Sequence, residues 1–210
     1  MSGAGLRCGS RVRTPPVTDG TVAIIGGEVR QRAVATLVAA FIADPVERWL
    51  YPSSFEYLAH FGRFIESFAG RAFEVGTAWS AADLSAVALW LPPGTAPDED
   101  AVGRMLSETV APKKQADTFA TLEQMADAHP TSPHWYLALM GVDPQFRGLG
   151  LGARLIEAGL RTVDADQLPA YLETPNPKAI PLYERYGFTV AGQSQAGSCP
   201  PLTSMIRAAR

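Results

Sequence analysis

Cysteine is scarce, with only Cys8 and Cys199 among 210 residues. Neither has a second cysteine at a metal or redox spacing, so a disulfide framework is excluded and the usage fits a reducing cytosol. Histidine is nearly as sparse. His60, His129 and His134 form no i, i+4 pair around a glutamate, which removes a zinc-hydrolase reading, and no metal is expected. An excess of basic charge is also missing. A net charge of -3 and a pI near 5.6 leave no footprint for nucleic acid, which is not expected as a partner. Long apolar runs are absent too: the longest, residues 33–43, has eleven residues between Arg32 and Asp44, too short to cross a bilayer. The expectation is a cytoplasmic protein with no membrane partner.

The composition present is that of an ordinary folded domain, 47% hydrophobic and 19% charged, and the length suits one full core. Residues 1–20 carry Arg7, Arg11 and Arg13 with no acidic residue before Asp19. They resemble a transit peptide faintly and lack the apolar centre of a secretory signal, so a disordered tail over 1–20 and one domain over 21–210 are expected.

Periodicity organises the remainder. TVAIIGG reads as a short strand, and the stretch from Glu28 to Pro45 as a helix with Val34, Leu37, Val38 and Phe41 on one face, interrupted by Pro45. A second helix runs from about Ser54 to Gly70, with Phe55, Leu58, Phe61, Ile65 and Phe68 spaced for an apolar face. Phe73 to Trp79 and Leu84 to Leu91 read as a strand hairpin. Two helical stretches follow, AVGRMLSETV and QADTFATLEQMADA, with Met105, Leu106, Phe119, Leu122 and Met125 as inward candidates. Strand and helix then alternate: Trp135 to Val142, Gly150 to Val163, Ala170 to Thr174, and about Ile180 to Tyr186. Two strands close the order, Phe188 to Gln193 and Leu202 to Arg207. Such alternation implies a parallel pair within a mixed sheet. The fold class expected is α/β, a sheet of about seven strands with flanking helices and a helical insertion before the fourth strand.

Chemistry concentrates in two segments. VDPQFRGLGLG, Val142 to Gly152, lies between a strand and an amphipathic helix, so N–H groups of Arg147, Gly148, Leu149, Gly150, Leu151 and Gly152 can converge at a helix N-terminus as an anion cradle. Gly148, Gly150 and Ala153, with Glu173 about twenty residues on, also fit a dinucleotide fingerprint. Five residues, DPQFR, separate strand from first glycine, no βαβ unit precedes, and too few residues follow Gly152 for the other half of such a sheet. The second segment is NPKAIPLYERYGF, Asn176 to Phe188.

Together these segments resemble the GNAT superfamily of acetyl-CoA-dependent N-acetyltransferases. Arg147, Gly150 and Gly152 match its first signature, and Asn176, Ala179, Leu182, Tyr183, Glu184, Gly187 and Phe188 match the element after its fifth strand. YLETPNPKAIPLYERYGFTV is similar to the puromycin acetyltransferase group. The resemblance implies acetyl-CoA as cosubstrate, its pyrophosphate held by the N–H groups of Arg147 to Gly152 and its pantetheine arm by the strand edge at Gly141 and Val142, with Asn176 adding a contact. It also implies that the helical insertion packs by the acceptor cleft. Asn176 before Pro177 equally reads as a helix cap.

Within this pattern Tyr183 is the general-acid candidate, because a phenol stays protonated at neutral pH and can serve a departing thiolate. Glu173, at a strand end, is the best available carboxylate for general base or amine anchor. Otherwise it is a salt-bridge partner and water relays the proton. The activity expected is direct acetyl transfer to a primary amine of a small molecule, antibiotic-like amines included, by a monomer or homodimer. A protein N-terminal or lysine acetyltransferase and a non-catalytic acyl-CoA-binding module are the alternatives.

Overall fold

The structure, a computed structural model, describes residues 21–210. The expected tail over residues 1–20, with Cys8, lies outside them.

Seven strands form one sheet: β1 (Val22–Ile24), β2 (Ala78–Ala81), β3 (Ala86–Leu91), β4 (Trp135–Val142), β5 (Ala170–Thr174), β6 (Thr189–Ser194) and β7 (Leu202–Arg207), in the order β1-β2-β3-β4-β5-β7-β6. Among the described residues β4 and β5 pair in parallel and every other pair is antiparallel. The helices are α1 (Arg30–Ala40), α2 (Pro45–Leu50), α3 (Ser54–Ala69), the single turn α4 (Arg71–Glu74), α5 (Glu99–Thr109), α6 (Pro112–Ala128), α7 (Leu151–Ala165) and α8 (Ile180–Arg185). The expected mixed seven-stranded α/β sheet is found, and α5 and α6 are the insertion before the fourth strand.

The period-two alternation of β3 divides the core. Val87, Leu89 and Leu91 face one layer with α1, α2, α3 and α5, whereas Ala86, Ala88 and Trp90 face a second layer built on α7 and α8. The small alanines let α7 approach closely. At its midpoint Gly159 lies under the Trp90 indole, where an added Cβ would stand 2.4 Å from Nε1. A side chain there would overpack a buried seam.

Three expectations are corrected. Phe73 belongs to the helical turn α4 and β2 begins at Ala78, because Gly76 at φ 73° reverses the chain between them. On α3 the buried stripe is Tyr57, Phe61, Ile65 and Phe68, while Phe55 and Leu58 are exposed. Tyr57 wins the inward position because its hydroxyl donates to Val38 O at 2.7 Å, satisfying a polar atom that tethers α3 to α1. On α6 Phe119 is likewise exposed, and Leu122 and Met125 pack on the core. Pro45, read as an interruption, also starts α2, with Asp44 as its cap.

Candidate active site

The β4–β5 pair is the feature that opens the sheet. Pairing covers Trp135, Tyr136 and Leu137 against Ala170, Tyr171 and Leu172, and then stops. From Ala138 onward β4 keeps β3 on one side and, among the described residues, has no strand on the other. Backbone N–H and C=O groups there are available to a ligand that lies like an extra strand. A cleft of about 610 Å³ occupies the parting and includes Gly141, Val142, Arg147, Glu173, Asn176 and Tyr183 in its lining.

Gly148 and Gly150 have φ of 80° and 77°, with nothing within 4 Å of a built Cβ, so the turn needs glycine for conformation rather than for space. Gly150 caps α7, and the first bond closed onto it is Arg154 N–H to Gly150 O at 3.2 Å. The preceding N–H groups, of Leu151, Gly152 and Ala153, point free of the helix. Gly152 makes ordinary contacts with Leu182, Val142 and Met140. Leu149 is exposed beside them. The Arg147 guanidinium donates to Ala40 O at 2.7 Å, tying the loop to the end of α1. Gly141 lacks a side chain for packing reasons, since a Cβ there would meet the Ala40 Cβ at 2.6 Å.

Asn176 uses its side-chain oxygen to accept from Lys178 N–H at 3.1 Å, capping the short 3-10 turn Pro177–Ala179. The turn leads into α8, which buries Tyr183 in the second layer against Phe188. Burial pushes the Tyr183 phenol up to about 12. Among the described residues its hydroxyl makes no hydrogen bond, so its proton is uncommitted.

Glu173 follows Tyr171 by two positions and therefore shares its face, toward the first layer. Its carboxylate accepts from Tyr136 Oη at 2.7 Å and Tyr171 Oη at 3.0 Å. Burial raises it to about 7, against the opposing pull of those two hydrogen bonds. The salt-bridge alternative is not met: the nearby cationic candidate, His129 Nδ1 at 3.8 Å, is itself held down to about 4 by burial and by His134, and is neutral at pH 7. Tyr136, Tyr171 and His129, the groups that build this carboxylate's environment, were not singled out from sequence. Only the register Tyr136 opposite Tyr171 brings them together.

Glu173 and Tyr136 also line a second cavity of about 790 Å³, between the Pro92–Pro97 loop, α5, α6 and the His129–His134 loop. Cys199, in the cleft wall, is buried, and burial raises its thiol above the ordinary value. That is the opposite of an activated nucleophile.

A model of the acetyltransferase (GNAT) family matches residues 112–188, from α6 through the parted strands to Phe188. The chain is 28% identical to an uncharacterised N-acetyltransferase of Schizosaccharomyces pombe over 186 residues, 75% of this chain and 70% of that one. A solved structure from Corynebacterium glutamicum, described as histone acetyltransferase HPA2 and related acetyltransferase, superposes with a TM-score of 0.65 at 26% identity, covering 91% of this chain and 97% of its own. The chain has the GNAT fold and is similar to GNAT-family acetyltransferases. The GNAT fold extends to a Drosophila melanogaster polyamine N-acetyltransferase that forms N-acetylagmatine, with a TM-score of 0.60 at 16% identity over 90% of this chain and 100% of that one. In GNAT terms, the matched segment contains every residue singled out from sequence as catalytic or cofactor-binding.

Proposed function

We propose that this GNAT enzyme transfers an acetyl group from acetyl-CoA directly to a primary amine of a small molecule, with Glu173 as general base and Tyr183 as general acid. The observation that carries the reading is the pairing across one cleft of a carboxyl near pH 7 with a fully protonated phenol. Groups whose environments push their pKa values apart in this way suit opposite proton roles.

The residues present fit the donor. Glycine turns with free N–H groups lie at the N-terminus of α7, suited to a pyrophosphate, and the unpaired edge of β4 suits an amide-bearing arm. When bound, acetyl-CoA supplies the acyl group activated as a thioester. Glu173 removes the proton from the incoming ammonium, freeing the nitrogen lone pair to bond the acyl carbon. A β4 N–H at the parting is placed to donate to the carbonyl oxygen as negative charge develops there. Tyr183 gives its proton to the sulfur as the carbon–sulfur bond breaks. The same burial that raises the phenol makes a departing thiolate a stronger base, which favours that transfer. Glu173 returns its proton toward solvent, and the second proton that the nitrogen sheds on becoming an amide reprotonates the phenolate.

A small acceptor is supported by α5 and α6, whose Leu106, Leu122 and Met125 are part of the cleft lining. The polyamine acetyltransferase of the same fold supports it too. Membership of the puromycin acetyltransferase group, a cytoplasmic location and a monomeric or dimeric state are further parts of this reading. Thiol release from acetyl-CoA across a panel of amines, polyamines, aminonucleosides and peptides tests it, with Tyr183→Phe beside the parent. Turnover with a small amine that drops by about 10²-fold or more in Tyr183→Phe is expected. An unchanged rate in that variant removes the acid assignment, and release with peptides alone reverses the acceptor class.

A further inference from the structure

The α2 corner of the cleft carries two carboxylates that the transfer chemistry leaves unused. Asp44 caps α2, its Oδ1 accepting from the N–H of Val46 at 2.9 Å and of Glu47 at 3.2 Å. Aspartate followed three residues later by glutamate is the pattern of a reciprocal cap, in which the glutamate reaches back to the aspartate N–H. That return bond is not made, because the Asp44 N–H already donates to Phe41 O at 2.9 Å. Glu47 is only 7% exposed, and its Oε2 is enclosed without a hydrogen-bond partner.

Among the described residues neither carboxylate forms an ion pair, and the neighbouring cations are committed elsewhere. Lys114 bonds Trp49 O and lies over the Trp49 ring, Arg147 bonds Ala40 O, and Arg48 bonds Pro52 O through Nη2 and lies over Tyr57, with its Nη1 enclosed and unpartnered among the described residues. An enclosed carboxylate without a cation or a full set of donors is costly, and here both members of the pair line the cleft. Burial raises Asp44 to about 6 and Glu47 well above the usual carboxylate range, with the charge of Asp44 adding to the latter. Among the described residues the ionised pair thus has no cation in direct ion-pair contact.

The nitrogen that attacks cannot be that charge. Two carboxylates beside it would favour the ammonium and oppose the deprotonation that Glu173 performs. The cleft that the pair shares with the parted strands also has an apolar lining, which includes Phe41, Phe64, Phe68, Leu106, Leu122 and Met125. From this arrangement we infer that Asp44 and Glu47 receive a second, permanently charged ammonium of the acceptor, so that the substrate class is a short α,ω-diamine with an apolar spacer. The inference rests on the reading of this cleft as an amine-acetylating site.

The test compares 1,5-diaminopentane with n-pentylamine in thiol release, for the parent chain, Glu47→Gln and Asp44→Asn. The second variant keeps an oxygen for the cap, so it guards against a folding defect in the first. The expected result is a kcat/KM at least about tenfold higher for the diamine in the parent, and a fall of about tenfold or more in the diamine-to-monoamine ratio in each variant. Glu173→Gln lowers both amines together and leaves the ratio in place. A ratio near one in the parent, or a ratio unmoved by Glu47→Gln, overturns the inference. Should neither amine release thiol, calorimetric titration with 1,5-diaminopentane decides alone. Saturable binding weakened by Glu47→Gln upholds the site although the transfer reading has failed, and no binding removes the site.

Discussion

Two glutamates are buried on the same side of one cleft, and they differ in what holds them. Glu173 is fixed by two tyrosine hydroxyls from adjacent strands, whereas Glu47 stands in the first turn of a short helix with one oxygen lacking any partner. Burial alone disfavours the charge on both. Hydrogen bonds to the ionised form then pull Glu173 back to about 7, where a carboxyl can exchange a proton during turnover. Glu47 has no such pull and stays well above the usual range. Equal depth thus leads to different chemistry: with donors, one carboxyl suits the proton-carrying role proposed for it, and without them the other suits the proposed ammonium site.

The largest effect that can break this comparison is on rate. Glu173→Gln is expected to lower kcat by about 10²- to 10⁴-fold and to abolish a limb that rises with pH through about 7, the range in which the parent carboxyl ionises. A pH–rate profile that keeps the limb in Glu173→Gln assigns it to another group.

Stability supplies the next effect. Because the folded-state pKa of Glu173 is raised from 4.5 to about 7, its contribution is fully present below about pH 4.5 and is lost as pH rises through 7. The swing is about 3 kcal/mol by the usual conversion of pKa shift to free energy. Denaturant titrations of the parent and of Glu173→Gln from pH 4 to 8 should show the parent losing ground to the variant by that order as pH rises. Parallel curves would place the carboxyl at an ordinary pKa.

The smallest effect probes the donors themselves. Tyr136→Phe removes a hydrogen bond that lowers the Glu173 pKa, so the rising limb should move to higher pH and stability should fall by about 1 kcal/mol. A limb displaced to lower pH contradicts the role given to the tyrosines.

Much of the carboxyl-terminal half was legible because its landmarks are local. Gly148 and Gly150 take the positive φ that their turn demands, and β4, β5 and β7 run over the residues their patterns marked. Tyr183 and Glu173 could be singled out by position. Their surroundings could not, since Tyr136 and Tyr171 are 35 residues apart and meet only through strand register. The α2 corner was hidden for a different reason. Asp44-Pro45 reads as a cap and Glu47 as an exposed first-turn acid, but Glu47 is buried in the cleft lining, which no local pattern marks. Phe55 and Leu58 misled because a spacing compatible with burial does not say which of two stripes a polar anchor such as the Tyr57 hydroxyl will select.

The parting of β4 from β5 has a mechanical consequence. The strands β1 to β4 form one half-sheet and β5, β7 and β6 another, and three register pairs join them along the backbone ladder. Beyond those pairs the ladder is unfinished, and a molecule that supplies the missing rungs completes the sheet as well as occupying the cleft. Such a molecule acts as a splint between the two halves, and its binding free energy adds to the free energy that resists unfolding.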